Sequence, residues 1–240
     1  MNKLLLTTAL LAAIGATPAK ATLQLAANIG GDEFFCADNT ACDTNPVIGV
    51  INTSPVTLDG VTFSSTSAAS SSGTLDFLNV SNLLITNTTG APVTVVIAAG
   101  QTGFTPANKF SDADSGTWQG SSASVANLRW FIDAANAQGA SNSADTPGVL
   151  IDSATSTALF PVLGFSRTND TIVDALSSPF SMTEQATIVL GAGESLVNRG
   201  QAIIGATAVI PETSTWAMMG LGFGLMAWVG FKRKTKRFAF

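Results

Sequence analysis

Between residues 22 and 210 no stretch of this chain keeps its apolar side chains at a helical spacing; short runs of Val, Ile, Leu, Phe and Thr alternate with Gly, Asn, Asp and Ser. Extended strands are what such a pattern supports, because a period of two sends successive side chains to opposite faces. It is clearest in Phe180-Ser-Met182-Thr-Glu184-Gln-Ala186-Thr-Ile188-Val-Leu190, where even positions are mostly apolar and odd ones mostly polar. The strand candidates are 47–52, 56–63, 74–80, 83–87, 93–98, 124–133, 158–165, 180–190 and 201–209. Asn87-Thr-Thr-Gly90-Ala-Pro92, set between two β-branched runs, reads as a hairpin-like turn with Gly90 free to take a positive φ. Many short strands joined by turns predict an all-β body, an antiparallel β-sandwich or jelly roll. The Ser- and Ala-rich stretches 64–73 and 134–148 are expected as mobile surface loops. No internal repeat, charge run or Pro-rich linker divides this body in two.

The two ends read as addresses. MNKLLLTTALLAAIGATPAKA opens with Lys3, continues through an apolar stretch too short to span a bilayer, and closes with Ala19 and Ala21 around Lys20. That is a secretory signal peptide over 1–21, cut by signal peptidase after Ala21, with an uncleaved anchor as the alternative. At the other end, residues 213–231 run without a charge, and a helix of that length covers about 28 Å at ~1.5 Å per residue. Trp216 and Trp228 stand near its ends, and Lys232, Arg233, Lys234, Lys236 and Arg237 follow at once. A basic cluster there stays cytoplasmic and leaves the body outside. A buried core helix would rarely end a chain with such a cluster behind it. The expected organisation is therefore a signal peptide (1–21), a β body (22–210) and a tail (211–240) with a transmembrane helix at 214–231 and a basic end at 232–240.

The net charge of −5 hides an uneven distribution: the body holds Lys109, Arg129, Arg167 and Arg199 against fifteen acidic side chains. Such a field repels phosphate backbones, which excludes nucleic acid as a partner. Histidine is absent, so Ser-His-Asp and Cys-His mechanisms are excluded, and no nucleophile motif stands beside Lys109. Paired carboxylates for glycoside hydrolysis remain open, although nothing in the sequence marks two acids as partners. Cys36 and Cys42, five residues between them, are expected to close a disulfide loop in an oxidising compartment. The most site-like cluster is Asp112-Ala-Asp114-Ser-Gly116. Alternating carboxylates beside a glycine can wrap calcium, but the fifth and twelfth positions of a calcium loop are Gly116 and Ala123, and an acidic turn is the plainer reading. No cofactor is otherwise expected. Trp118 and Trp130 suit either a sandwich core or stacking on a sugar ring, and Phe34-Phe35 suits a buried edge against the disulfide.

Ile210-Pro211-Glu212-Thr213, then Ser214-Thr215-Trp216-Ala217, a Gly-rich span (Gly220, Gly222, Gly224) and the basic end together resemble the PEP-CTERM sorting signal, with Thr213 in place of the second proline. The resemblance implies an exosortase that acts near Pro211 and Glu212, recognises the tail from Trp216 to Lys232, Arg233 and Lys234, and releases or transfers the protein to the cell surface. The order Leu83-Leu-Ile-Thr-Asn-Thr-Thr-Gly90, a β-branched strand, Phe180-Ser-Met-Thr-Glu184 and a last strand is similar to the β-sandwich bodies attached to this signal. The expected function is non-enzymatic: an exported surface or matrix protein, structural or adhesive, working beside exopolysaccharide after a transient single-pass membrane stage. A secreted calcium- or carbohydrate-binding module is the alternative, and a carboxylate-dependent glycosidase the third.

Overall fold

Strand parity builds the molecule. The computed structural model describes residues 22–205 apart from 64–66, 72–75, 105–108, 121–123, 159–162, 174–175 and 177–178. The signal peptide with Ala19 and Ala21, and the tail with Pro211, Glu212, Trp216, Lys232, Arg233 and Lys234, lie outside the described residues. The chain divides into Met1–Ala206 and Thr207–Phe240, and everything described belongs to the first unit.

The strands are β1 (Gln24–Ile29), β2 (Asp32–Ala37), β3 (Val50–Asn52), β4 (Val56–Leu58), β5 (Val61–Phe63), β6 (Ser67–Ser71), β7 (Asp76–Asn87), β8 (Val93–Phe104), β9 (Lys109–Gln119), β10 (Val125–Asp133), β11 (Val149–Thr157), β12 (Gly164–Ile172), β13 (Phe180–Leu190) and β14 (Ser195–Gly205). All pairings are antiparallel. One sheet runs β11-β10-β13-β8-β1-β2; the other runs β12-β9-β14-β7-β5-β4, with β6 also on β7 and β3 on β6. Among the eight long strands β7 pairs with β14, β8 with β13, β9 with β12 and β10 with β11, and successive pairs fall in alternate sheets. That is a jelly roll, widened by the N-terminal strands.

Side chains of alternate parity from both sheets fill the space between them: Phe110 and Trp118 of β9, Leu196 and Ala202 of β14, Leu128 and Trp130 of β10, Met182, Ala186 and Ile188 of β13, and Ile97 and Ala99 of β8. Trp118 and Trp130 are thus core residues, 3% and 1% exposed. Cys36 and Cys42 form the expected disulfide. Cys36 points into the core from edge strand β2; Phe34 packs on that core, but Phe35, on the other face, is 44% exposed and does not share the burial expected of the pair.

Several local expectations change. Asn87 to Pro92 is not a hairpin, because β7 and β8 lie in different sheets and this connection crosses from one to the other. Asn87 organises it: its amide donates to the carbonyls of Ala91, Leu190 and Gly191, and its carbonyl accepts from Thr89. Gly90 has no positive φ, whereas Asp59-Gly60 does at both positions (40° and 73°), making the tight turn between β4 and β5. The 64–73 stretch contains β6, which pairs with β7. The expected 158–165 strand begins only at Gly164, as β12.

Candidate functional site

Part of the outer face of the six-stranded sheet, around Gly100 and Thr183, is roofed, while the part around Thr94 and Val189 is open. Residues 134–148, expected to be mobile, lie across it in a single course pinned by side chains: Asn136 Oδ1 accepts the Gly103 amide, Gln138 Nε2 donates to Gly100 O, Gln185 Nε2 donates to Ser143 O, and the Ser143 amide donates to Glu33 Oε1. Contact is tight at Gly139, where a Cβ would collide with Thr183, and at Gly100, where it would meet the Gly139 backbone. Thr183 and Gln185, which face outward by parity, are consequently buried.

The outer face of the eight-stranded sheet lacks such a cover among the described residues and is hollowed instead. Register places three rows side by side across β12, β9 and β14: Gly164, Thr117 and Val197; Ser166, Ser115 and Arg199; Thr168, Ala113 and Gln201. Small side chains at most of these points leave an open groove of about 570 Å³, with a contiguous hollow of about 150 Å³ sharing Ser115, Ser166 and Arg199. Arg199 stands opposite a β-bulge, where the register between β14 and β7 shifts across Asn198/Gly200; bulges re-aim the side chains beside them. Further along β9 and β12 Lys109 and Asp170 pair at 2.9 Å.

Directly beneath this face lies the second unusual feature. Asp112 and Asp114 are not in a turn: they stand mid-strand in β9 with inward parity, 3% and 2% exposed. Their alternation, which suggested a calcium loop, is the period of the strand itself. Across the sandwich Glu184 of β13 is also 3% exposed. Arg167 of β12 bridges the two sheets, bonding Asp112 Oδ1 at 3.1 Å and Asp152 Oδ2 of β11, with its guanidinium 6.0 Å from the Trp130 ring. Asn169 Nδ2 also donates to Asp152, at 2.8 Å. Space for Glu184 comes from Gly200 of β14, since a Cβ there would collide with Glu184 Oε1.

One guanidinium cannot neutralise four carboxyls, and their proton affinities separate accordingly. Burial, then the neighbouring Asp152 carboxylate, pushes Asp112 up to about 7; burial pushes Asp114 up to about 7 against the pull of Arg167. Glu184 is raised well above its usual range by burial and by the two aspartates. Burial also acts on Asp152, but hydrogen bonds with Asp112, Asn169 and Arg167 outweigh it and hold this group low. The cluster thus stores protons on Asp112, Asp114 and Glu184 around an Asp152–Arg167 ion pair. Among the described residues Asp112 Oδ2, Asp114 Oδ1 and Glu184 Oε2 have no hydrogen-bond partner. Among the described residues, no group of three or more acidic, Cys or His side chains is arranged to hold a metal ion. Of the residues singled out in the sequence, Asp112 and Asp114 meet here, with Trp130; the groove residues were missed, because Ser, Thr and Ala at period two resemble any solvated strand face.

No protein-family model matches the sequence, and no curated protein matches it. Among solved structures the chain is similar to TmCBM61 in complex with β-1,4-galactotriose, at 6% identity and a TM-score of 0.33 over 57% of this chain and 86% of that one. It is also similar to the enzymatically active domain of tailspike protein 4 of bacteriophage CBA120, at 14% identity and a TM-score of 0.27 over 76% of this chain and 19% of that one. Scores this low carry no argument about ligand or activity.

Proposed function

We propose that this is an exported, non-enzymatic glycan-binding protein that holds polysaccharide in the open groove of its eight-stranded sheet and acts as a surface or matrix component beside exopolysaccharide. The observation that carries this reading is the asymmetry of the two outer faces. One is partly roofed by its own loop, while the other offers an open hollow in which Ser115, Thr117, Ser166 and Arg199 stand beside Phe165 and Val197, hydrogen-bonding groups next to apolar surface as suits the hydroxyls and the C–H face of a sugar chain. The inward burial of the carboxyls favours binding over turnover. Isothermal titration with a panel of polysaccharides tests the reading. Binding is expected, with affinity reduced at least tenfold in Ser115→Trp, whose indole would fill the groove's centre while the unfolding midpoint stays close to that of the parent. If the parent binds no polysaccharide, the reading is wrong.

The disulfide fits an oxidising compartment, and the two terminal segments support export by the signal peptide and sorting by an exosortase. Mass spectrometry of envelope material is expected to find a mature chain that begins at Thr22 and lacks the segment from Lys232 to Phe240. Molecules that keep this tail in a strain with a working exosortase would show a simple membrane anchor instead.

A further inference from the structure

We infer that the groove is selective for an acidic glycan, with Arg199 receiving the carboxylate of a uronic acid residue. This rests on the reading of the groove as a glycan site and adds the class of sugar it takes.

Three of the body's four cations are already engaged. Lys109 is held by Asp170, Arg167 by Asp112 and Asp152, and Arg129 lies over the Phe131 ring at 5.0 Å on the other sheet. Arg199 alone among the body's four basic residues has neither an acidic partner nor a ring contact among the described residues. It is exposed, and it occupies the middle row of the groove beside Ser115 and Ser166. In a body with nearly four acids for each base, a guanidinium without an acidic partner among the described residues, set in a hollow beside Ser115 and Ser166, is a localised positive point in an acidic surface. On the same face Asp170 is already paired with Lys109. A guanidinium presents a planar fork that matches a carboxylate with two parallel hydrogen bonds, which a compact ammonium does not. The flanking Ser115, Ser166, Thr168 and Gln201 are placed to bond the hydroxyls of the same ring and its neighbours.

The test compares each uronate with its own methyl ester, which differ only in the charged group, and adds a sulfated glucan as a second kind of anion. Titration calorimetry on the full chain would use polygalacturonate and alginate, their methyl-esterified forms and dextran sulfate, at low and moderate salt. The acid forms are expected to bind at least tenfold more tightly than the esters, with the preference weakening as salt rises. Arg199→Ala is expected to abolish the preference, so that acid and ester forms bind with equal, weak affinity while the circular dichroism spectrum is unchanged; Arg199→Lys keeps the charge and should restore only part of the preference. Equal affinity for acid and ester, or a preference that survives in Arg199→Ala, would overturn the inference and leave the glycan reading standing. Stronger binding of dextran sulfate than of either uronate would overturn the carboxylate assignment. Failure of every polysaccharide to bind would remove the glycan reading itself, and the inference with it.

Discussion

Raising the pH from about 4 to about 8 is expected to destabilise this protein substantially, the reverse of what an acidic chain with ordinary surface carboxylates would do. The cause is the enclosed cluster. Asp112 and Asp114 go from 3.8 in the unfolded chain to about 7 in the folded one. An acid whose folded value is raised binds its proton more tightly when folded, so its contribution favours folding at low pH, declines from the unfolded value upward, and is lost once the pH passes the folded value. For one such carboxyl the difference is about 4 kcal/mol; because both aspartates share Arg167, a total of that order is expected for the pair. Asp152 and Asp170 act in the opposite direction, since their lowered values give stability that is lost only as the pH falls through the acid range. They leave the window from about 4 to about 7 to the raised groups. The absence of histidine makes that window clean, because no other side chain of ordinary value titrates between pH 5 and 8. Urea unfolding at pH 5 and pH 8 checks this. The parent should lose stability between the two, and Asp114→Asn, which keeps the shape without the titration, should flatten the difference and be the more stable protein at pH 8. A parent curve flat across this range would show that the cluster does not hold its protons.

The second large effect is expected at Gly200. Replacing it with alanine adds one methyl group, which on a solvated strand would be neutral or slightly favourable. Here the new Cβ would collide with Glu184 Oε1 and come within 3.1 Å of Leu128 Cδ2. Glu184 has nowhere to retreat: it is 3% exposed and faces Asp112 and Asp114. Forcing an already protonated carboxyl toward two other carboxyls combines overpacking with a worsened polar burial, and a loss of about 3 kcal/mol is expected. The double variant Gly200→Ala with Glu184→Ala tells the mechanism apart from a simple strand effect. It should recover much of the loss, giving a coupling energy of about 1–2 kcal/mol in the cycle. Additive losses would mean that Gly200 is needed for some reason other than the room it gives Glu184.

The sequence was most legible where one face of a strand is apolar. The 180–190 run became β13 with the expected bounds, and 124–133 became β10 with its first residue removed. Strands β9 and β11 were missed, and β12 was anticipated only at its first two residues, because their inward faces carry Asp112, Asp114, Asp152, Arg167 and Asn169. A polar group on the core side erases the alternation by which a strand is recognised, and only pairing across the sandwich shows that the charges answer one another. The crossing at Asn87 looked like a hairpin because turn residues specify a change of direction, not the sheet to which the next strand goes. The 134–148 stretch looked mobile because small polar residues give no sign of the hydrogen bonds that pin them. The disulfide could be read because six residues of separation leave two cysteines within easy reach of each other.

The place of β14 in its sheet has a kinetic meaning. It is the last strand among the described residues, yet it lies between β9 and β7, and Ser195 pairs with Thr86 across more than a hundred residues. Until it arrives, β7 and β9 each present an unpaired edge, the condition in which β chains stall or join to one another. Closure therefore depends on distant contacts made late, which sets a slow pace for folding. A chain delivered from its N-terminus would remain open until nearly all of the body had emerged. Since Arg199 is carried on that final strand, an incomplete molecule has no groove with which to capture anything prematurely.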